Sequence, residues 1–347
     1  MSLLWFDGFE SYNNDADATA VPFLSTAENT FSTNYGRRGS RGFMQNHYND
    51  SFNINLSYTD YFPAPANNTT IIVGHALYAN KAATPYDSPG RCLIHLGWQV
   101  GVYFKHNTNI LQVRRINGTI LGTGTTTLGS QWWFFEIKVY IHDTAGTVEV
   151  RLNGNVEILV TGIDTKHQAH NYVPSVGLRS GNSNPVWRDD LYICNAQGSK
   201  NNDFLGDIRV DALRPNAAGI YTDFTPSAGS NYQNVDESYG PDDDSAYNQD
   251  DILGHQDSYG IGSLPSPPVG TTIHGVKSQI TVRKVSAGSK QCKLLTRAGT
   301  TDDLGNAITL SDVFTTHPKI FENNPDDSAA WEDADVNGME VGAEVTS

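Results

Sequence analysis

The 347-residue sequence is poor in basic residues: Lys and Arg number 23 against 38 Asp and Glu, a formal net charge of −15. Nucleic-acid phosphates are gripped by a basic footprint, so no nucleic-acid partner is expected. Cysteine is scarce. Cys92, Cys194 and Cys292 stand far apart, no C-x-x-C occurs, and an odd count suits no disulfide framework. Each reads as a small buried hydrophobe, which fits synthesis in a reducing cytoplasm. No basic stretch followed by an apolar one opens the chain, so no export signal is expected. No apolar run approaches the length of a membrane span, and no membrane insertion is expected. Helical periodicity of useful length is missing from the first 195 residues.

What the sequence has is short apolar runs divided by turn residues, which favours an all-β chain. Strands are predicted over 69–79, 91–106, 109–124 and 131–162. In the last of these Phe135, Ile137, Val139 and Ile141 alternate with polar residues, a turn follows, and Val148, Val150 and Leu152 alternate again. The Asn153-Gly154-Asn155 turn then sends back a third strand, so a β-meander is predicted. The stretch "WRDDLYI" (187–193) reads as a strand with Trp187, Asp189, Leu191 and Ile193 on one face and Arg188, Asp190 and Tyr192 on the other. A strand at each end of this part suggests a sandwich whose terminal strands pair.

The texture changes near residue 200. "DIRVDALRPN" (207–216) reads as a strand. No Lys or Arg then occurs from Pro215 to Val276, although Tyr221, Phe224, Tyr232, Tyr239, Tyr247 and Tyr259 do. This predicts an extended acidic aromatic loop or arm over about 220–260, ordered mainly by contacts between chains. Strands resume at 272–285 and 290–299, and "DDSAAWEDADV" (326–336) reads as a helical turn or two. Two domains are predicted: 1–198, a jelly-roll sandwich, and 199–347, a smaller second β-sandwich that includes the arm.

"WWFFEIKVYIHDTAGTVEVRLNG", with "FDGFESY" near the start and "WRDDLYI" near residue 190, resembles the concanavalin A-like jelly rolls, in particular their laminin-G-like branch, over roughly residues 3–195. "VDALRPNAAGIYTDFTPSAGSNYQNVDE" (210–237) and "DVNGMEVGAEV" (335–345) resemble a region of structural proteins of tailed bacteriophages. The second resemblance implies a virion component made in the host bacterial cytoplasm, a homo-oligomer with other virion proteins as partners. Its expected place is the tail fibre or tail tip, attached to a host-surface glycan. Decoration of the capsid and a carbohydrate-binding module outside a virion are the alternatives. Lectin-like sandwiches with such ends can hold a structural ion, so the first resemblance also makes Asp7, Glu10, Asp189 and Asp190 candidate ligands of a structural calcium or sodium. The other reading of Asp189 is a carboxylate paired with an Arg or capped by backbone N–H groups at a bulge.

No catalytic residues are expected, and the chain is expected not to be an enzyme. Glycoside hydrolysis needs two carboxylates facing one another across a sugar, and Glu136 has no acidic partner along its strand. Its expected place is a solvated strand face. The ten histidines show no metal-ligand spacing, the "HQAH" pair at 167–170 included. "GTILGTGTTT" lacks the Lys and following helix of a phosphate loop, so no other cofactor is expected. The loops at 79–90 and 106–110 are candidates for stacking on sugars.

Overall fold

The computed structural model describes residues 1–45, 50–79, 92–105, 108–179, 185–266 and 270–347. The chain is almost wholly β, and it divides into two compact units. Unit one comprises Met1–Thr19 and Phe23–Val210; unit two comprises Ala20–Pro22 and Asp211–Ser347.

Unit one is a sandwich of two antiparallel sheets. Its strands are β1 (Leu3–Asp7), β2 (Leu24–Ala27), β3 (Thr30–Ser32), β4 (Gly42–Gln45), β5 (Ser51–Asn55), β6 (Thr70–Ala79), β7 (Cys92–Leu96) and β8 (Val100–Phe104). They continue with β9 (Ile110–Arg115), β10 (Ile120–Thr127), β11 (Trp132–Tyr140), β12 (Gly146–Leu152), β13 (Asn155–Ile163), β14 (Ser175–Arg179) and β15 (Val186–Asn195). An eight-stranded sheet has the order β13-β12-β11-β6-β15-β4-β3, with β1 also paired to β15. A seven-stranded sheet has the order β10-β9-β8-β7-β14-β5-β2. The meander is β11-β12-β13, and the end strands do pair, Trp5 opposite Ile193.

The alternating residues explain the layers. Phe135, Ile137 and Val139 from one sheet and Ile94, Val102, Val113, Val176 and Leu178 from the other are almost fully buried between them. At about 25 cal/mol per Å² of apolar surface removed from water, this packing drives the fold.

Unit two is built on a six-stranded antiparallel sheet. Its strands are β16 (Pro215–Thr222), β17 (Thr225–Pro226), β18 (Asn248–Gln249), β19 (Gln256–Ile261), β20 (Val276–Val282), β21 (Gln291–Ala298), β22 (Thr301–Leu304), β23 (Ile308–Thr309), β24 (Thr315–Phe321) and β25 (Glu340–Val345). The main order is β16-β19-β25-β21-β22, with β23 also on β21. The β20-β24 pair packs against β21 and β25. A short helix, Asp333–Asn337, helps close a core of Ala298, Phe321, Trp331, Val336 and Met339.

Two expectations are corrected here. The acidic aromatic segment is ordered by contacts within its own unit. Its ends form β16 and β19 inside the main sheet, and its middle is tied down within the unit. Asn231 Nδ2 donates to Asp257 Oδ2 at 2.7 Å, Asn234 Nδ2 to Asn248 Oδ1 at 3.1 Å, and Asn248 Nδ2 to the Tyr259 hydroxyl at 2.8 Å. Side-chain amides do here what apolar contacts do elsewhere, which low hydrophobicity concealed. Second, residues 207–214 form no strand, and unit one runs on to Val210 rather than stopping at 198.

The reason is a strap. After β15 the chain crosses the outer face of the eight-stranded sheet. Phe204 packs beneath the Arg151 guanidinium at 4.1 Å, and Asp203 pairs with Lys138 at 3.0 Å. The Leu205 and Gly206 N–H groups donate to the Tyr192 hydroxyl (3.1 Å) and Glu136 Oε1 (2.8 Å). Asp207 pairs with Arg37 at 2.5 Å. Glu136 is therefore fully buried under the strap, not solvated.

Candidate functional site

The four acidic residues expected to hold a cation do gather where β1 meets β15, and three of them, Asp7, Asp189 and Asp190, accept hydrogen bonds from this chain. A bulge in β15 is the cause. Between Asp189 and Tyr192 the register against β6 shifts, and Asp190 takes a positive φ of 51°. The extra residue reverses the alternation. Arg188 points into the sandwich, Asp189 lies on the outer face with Trp187, and Leu191 turns inward. The expected grouping of Trp187, Asp189, Leu191 and Ile193 on one face is thus corrected.

Asp189 is fully buried, and it is capped by donors. Its Oδ2 accepts from the Arg37 N–H and the Ser40 hydroxyl, both at 2.6 Å, and its Oδ1 accepts from the Asp190 N–H at 2.8 Å. Asp190 accepts from the Val210 N–H at 2.8 Å and has Arg37 at 3.5 Å. Asp7 accepts from the Phe9 N–H (2.8 Å) and the Tyr12 hydroxyl (2.6 Å). Burial, and next the Asp189 charge, push the Glu10 carboxyl up to about 9; burial and the Asp190 charge raise Asp189 too. Among the described residues no group of three or more His, Cys, Asp or Glu is placed to hold a metal ion. Asp189 is buried because backbone and hydroxyl donors at a bulge receive it.

The chemistry-bearing surface lies on the other sheet. Along β5, β7, β8, β9 and β14 the core residues alternate with Asn53, His95, Tyr103, Gln112, Arg114 and Arg179, which share the outer face. The register places them in two rows. Ser25, Asn53, Gly177, His95, Gly101 and Arg114 follow one another across six strands. Cys92, Tyr103, Gln112 and Thr123 form the second row, and Arg179 ends β14 beside it.

Two glycines let large side chains lie flat on this face. A Cβ on Gly177 would stand 2.1 Å from His95 Nε2, and one on Gly101 would stand 2.8 Å from the Tyr103 ring. The β7–β8 hairpin turns through Gly97 and Trp98, both at positive φ. For a bulky residue this costs on the order of 1–3 kcal/mol. It folds the Trp98 ring back onto His95, 4.7 Å away and nearly parallel, while 51% of Trp98 stays exposed. The Arg179 guanidinium lies 5.7 Å from the same indole, and that of Arg114 lies 5.0 Å from the Tyr103 ring.

His95 is 3% exposed. Its Nε2 faces Asn53 Oδ1 at 3.3 Å, and Asn53 in turn donates to the Ser25 carbonyl, which orients the amide so that Nε2 carries the proton. Nδ1 then holds a lone pair and has no hydrogen-bond partner among the described residues. Burial, and next the Arg179 charge, hold the ring neutral by lowering it to about 4. Burial also raises the Tyr103 phenol, which stays protonated. Among the described residues no carboxylate pairs with Arg114 or Arg179. The face can therefore donate from Tyr103, stack through Trp98 and hold anions on two guanidiniums.

Arg188 fixes this face from beneath. Fully buried, it donates to Gln45 Oε1 at 2.9 Å, to the Leu93 and Arg179 carbonyls at 2.8 Å each, and has His75 Nε2 at 3.0 Å. All these partners are neutral, and burial brings the guanidinium down to about 9. It bolts β7 and β14 of one sheet to β4, β6 and β15 of the other. The candidate loop 79–90 lies, apart from Ala79, outside the described residues, as do 106 and 107 of the other.

No protein-family model and no curated protein matches the sequence. Similar solved structures include the alginate lyase Aly36B in complex with alginate tetrasaccharide, at 9% identity and a TM-score of 0.35, covering 55% of this chain and 96% of that one. Domain 4 of AbnA, a GH43 extracellular arabinanase from Geobacillus stearothermophilus, in complex with arabinotriose, matches at 13% and 0.36, covering 56% of this chain and 92% of that one. A Trypanosoma rangeli sialidase in complex with the inhibitor DANA matches at 10% and 0.35, covering 49% of this chain and 27% of that one. The expectation of a non-enzyme is withdrawn: these neighbours are parts of a lyase, an arabinanase and a sialidase. At such identities and scores the likeness assigns no activity to this chain.

Proposed function

We propose that the chain is a component of a tailed-phage particle, at the tail fibre or tail tip, and that unit one meets a host-surface glycan on the outer face of its seven-stranded sheet. The observation that supports glycan contact is the built polar face itself. An exposed indole, a neutral buried imidazole with an unused lone pair, a phenol and two guanidiniums share one sheet surface, and two glycines make room for them. Sugars are held by such pairings of an aromatic face with fixed polar groups. The virion setting rests on the resemblance of 210–237 and 335–345 to phage structural proteins. In a symmetric particle many copies would turn weak glycan contacts into firm attachment.

The test has two arms. Gold-labelled antibody against the chain should mark the tails of purified particles in electron micrographs, and its absence from particles would end the virion reading. The purified chain should retain surface polysaccharide of the host in a pull-down, with reducing ends and unsaturated products measured in the same tubes. A chain that retains no polysaccharide and releases no product has no glycan role.

A further inference from the structure

The chemistry of the same face also selects among glycans. In a chain of net charge −15, this surface carries two guanidiniums and, among the described residues, no carboxylate bound to either. Arg179 rests on Trp98, and its Nε is buried without a hydrogen-bond partner. Arg114 rests on Tyr103, and its Nε donates to Gln112 Oε1 at 2.6 Å, which leaves the terminal amino groups of the fork for a ligand. A planar fork held on an aromatic ring is pre-organised for a carboxylate.

The spacing matters as much. The strand order β9-β8-β7-β14 puts Arg114 and Arg179 three strand steps apart. At about 4.8 Å per step, and with Arg179 two residues along β14 from the position level with Arg114, their backbones are separated by roughly 16 Å. One sugar ring does not span that distance, but an oligosaccharide laid across the strands does. Between the two cations it would cross the Trp98 ring, which is 51% exposed, and Tyr103, whose hydroxyl can donate.

Building on the glycan reading, we infer that the face takes a carboxylate-bearing oligosaccharide, with acidic groups at its two ends on Arg179 and Arg114 and the sugar rings between them against Trp98 and Tyr103. A uronate oligomer is the simplest ligand of this kind.

Calorimetric titration of the full chain separates this inference from the reading beneath it. The probes are tetra- to hexamers of galacturonate and of mannuronate, the methyl esters of the same oligomers, and neutral cellohexaose. The inference expects at least one acid oligomer to bind, its ester to bind at least tenfold more weakly, and affinity to fall with added salt. Arg179→Gln and Arg114→Gln should each weaken the acid oligomer roughly tenfold, with melting curves showing the variants folded. Equal binding of acid and ester, or variants that bind as well as the parent, would overturn the inference and leave the glycan reading standing. Binding of cellohexaose alone would do the same. Failure of every saccharide to bind would overturn both.

Discussion

The two outer faces of the unit-one sandwich solve opposite problems. On the eight-stranded sheet, buried acids meet donors from the chain itself. The Arg37–Ser40 turn caps Asp189, and the strap of residues 203–210 covers Glu136, Tyr192 and Asp190. On the seven-stranded sheet the charges are positive, their hydrogen-bonding capacity is only partly used, and His95 Nδ1 has no partner. A face whose carboxylates are received by the chain's own donors is structural, although Glu136 Oε2 and Trp187 Nε1 on it have no partner among the described residues. A face that keeps a lone pair and two guanidinium forks unspent, at the cost of a strained Trp98, is shaped for something outside the chain.

The hardest way to break this contrast is at Arg188, which serves both sheets. Arg188→Met leaves two buried carbonyls, Gln45 and His75 without their donor. At about 1–3 kcal/mol for each orphaned group, it should cost roughly 4 kcal/mol or prevent folding. Urea unfolding followed by tryptophan fluorescence measures it, and a loss below about 1 kcal/mol would mean that the guanidinium is not the bolt described.

Asp189→Ala comes next. It orphans the Arg37 and Asp190 N–H groups, while the Ser40 hydroxyl keeps the Arg37 carbonyl, and should cost about 2–4 kcal/mol. Because these donors already occupy the carboxylate, added calcium should leave the parent's melting midpoint unchanged. A calcium-dependent rise that Asp189→Ala abolishes would restore the cation reading of Asp7, Glu10, Asp189 and Asp190.

Protease sensitivity sharpens the boundary. The strap binds 203–210 to unit one, so a limited digest should leave a fragment extending to residue 210 or beyond. Phe204→Ala, which frees the strap from Arg151, should move cleavage back toward residue 200. Mass spectrometry of the fragments decides the point.

The faces should also answer pH with opposite signs. Glu10 goes from its ordinary 4.5 to about 9 in the fold, so the folded state keeps a proton that the unfolded chain has lost. That contribution is complete below pH 4.5 and disappears as pH rises toward 9. His95 falls from 6.5 to about 4, so its contribution is complete above pH 6.5 and is lost as pH falls toward 4. Glu10→Gln should flatten the alkaline slope of the melting midpoint and His95→Gln the acid one. A slope unchanged by its variant would refute that assignment.

Much of the fold was legible because strands advertise themselves by alternation: the meander, the pairing of the end strands and the short helix near residue 335 all read from the pattern. The second unit's acidic segment was misread because amide networks replace apolar packing there. The face of Asp189 was misread because one inserted residue reverses every later side chain, and a bulge leaves no mark on a period-two pattern. The polar face was missed for a different reason. Histidines were weighed for metal spacing along the chain, whereas His95 meets Asn53, Tyr103 and Arg179 only through strand order. A signal did exist. Phe52-Asn53-Ile54, Ile94-His95-Leu96, Val102-Tyr103-Phe104 and Leu111-Gln112-Val113 each set one polar residue between two core residues.

The most direct test of the contrast separates stability from binding at one residue. Trp98 holds a left-handed conformation that Asn adopts more easily. Trp98→Asn should leave the melting midpoint unchanged or slightly raised, while binding to the oligosaccharide retained by the parent chain falls at least tenfold in the same calorimeter. Binding that survives the substitution, or a melting midpoint that collapses with it, would show Trp98 to be part of the scaffold and the seven-stranded face to be no binding surface.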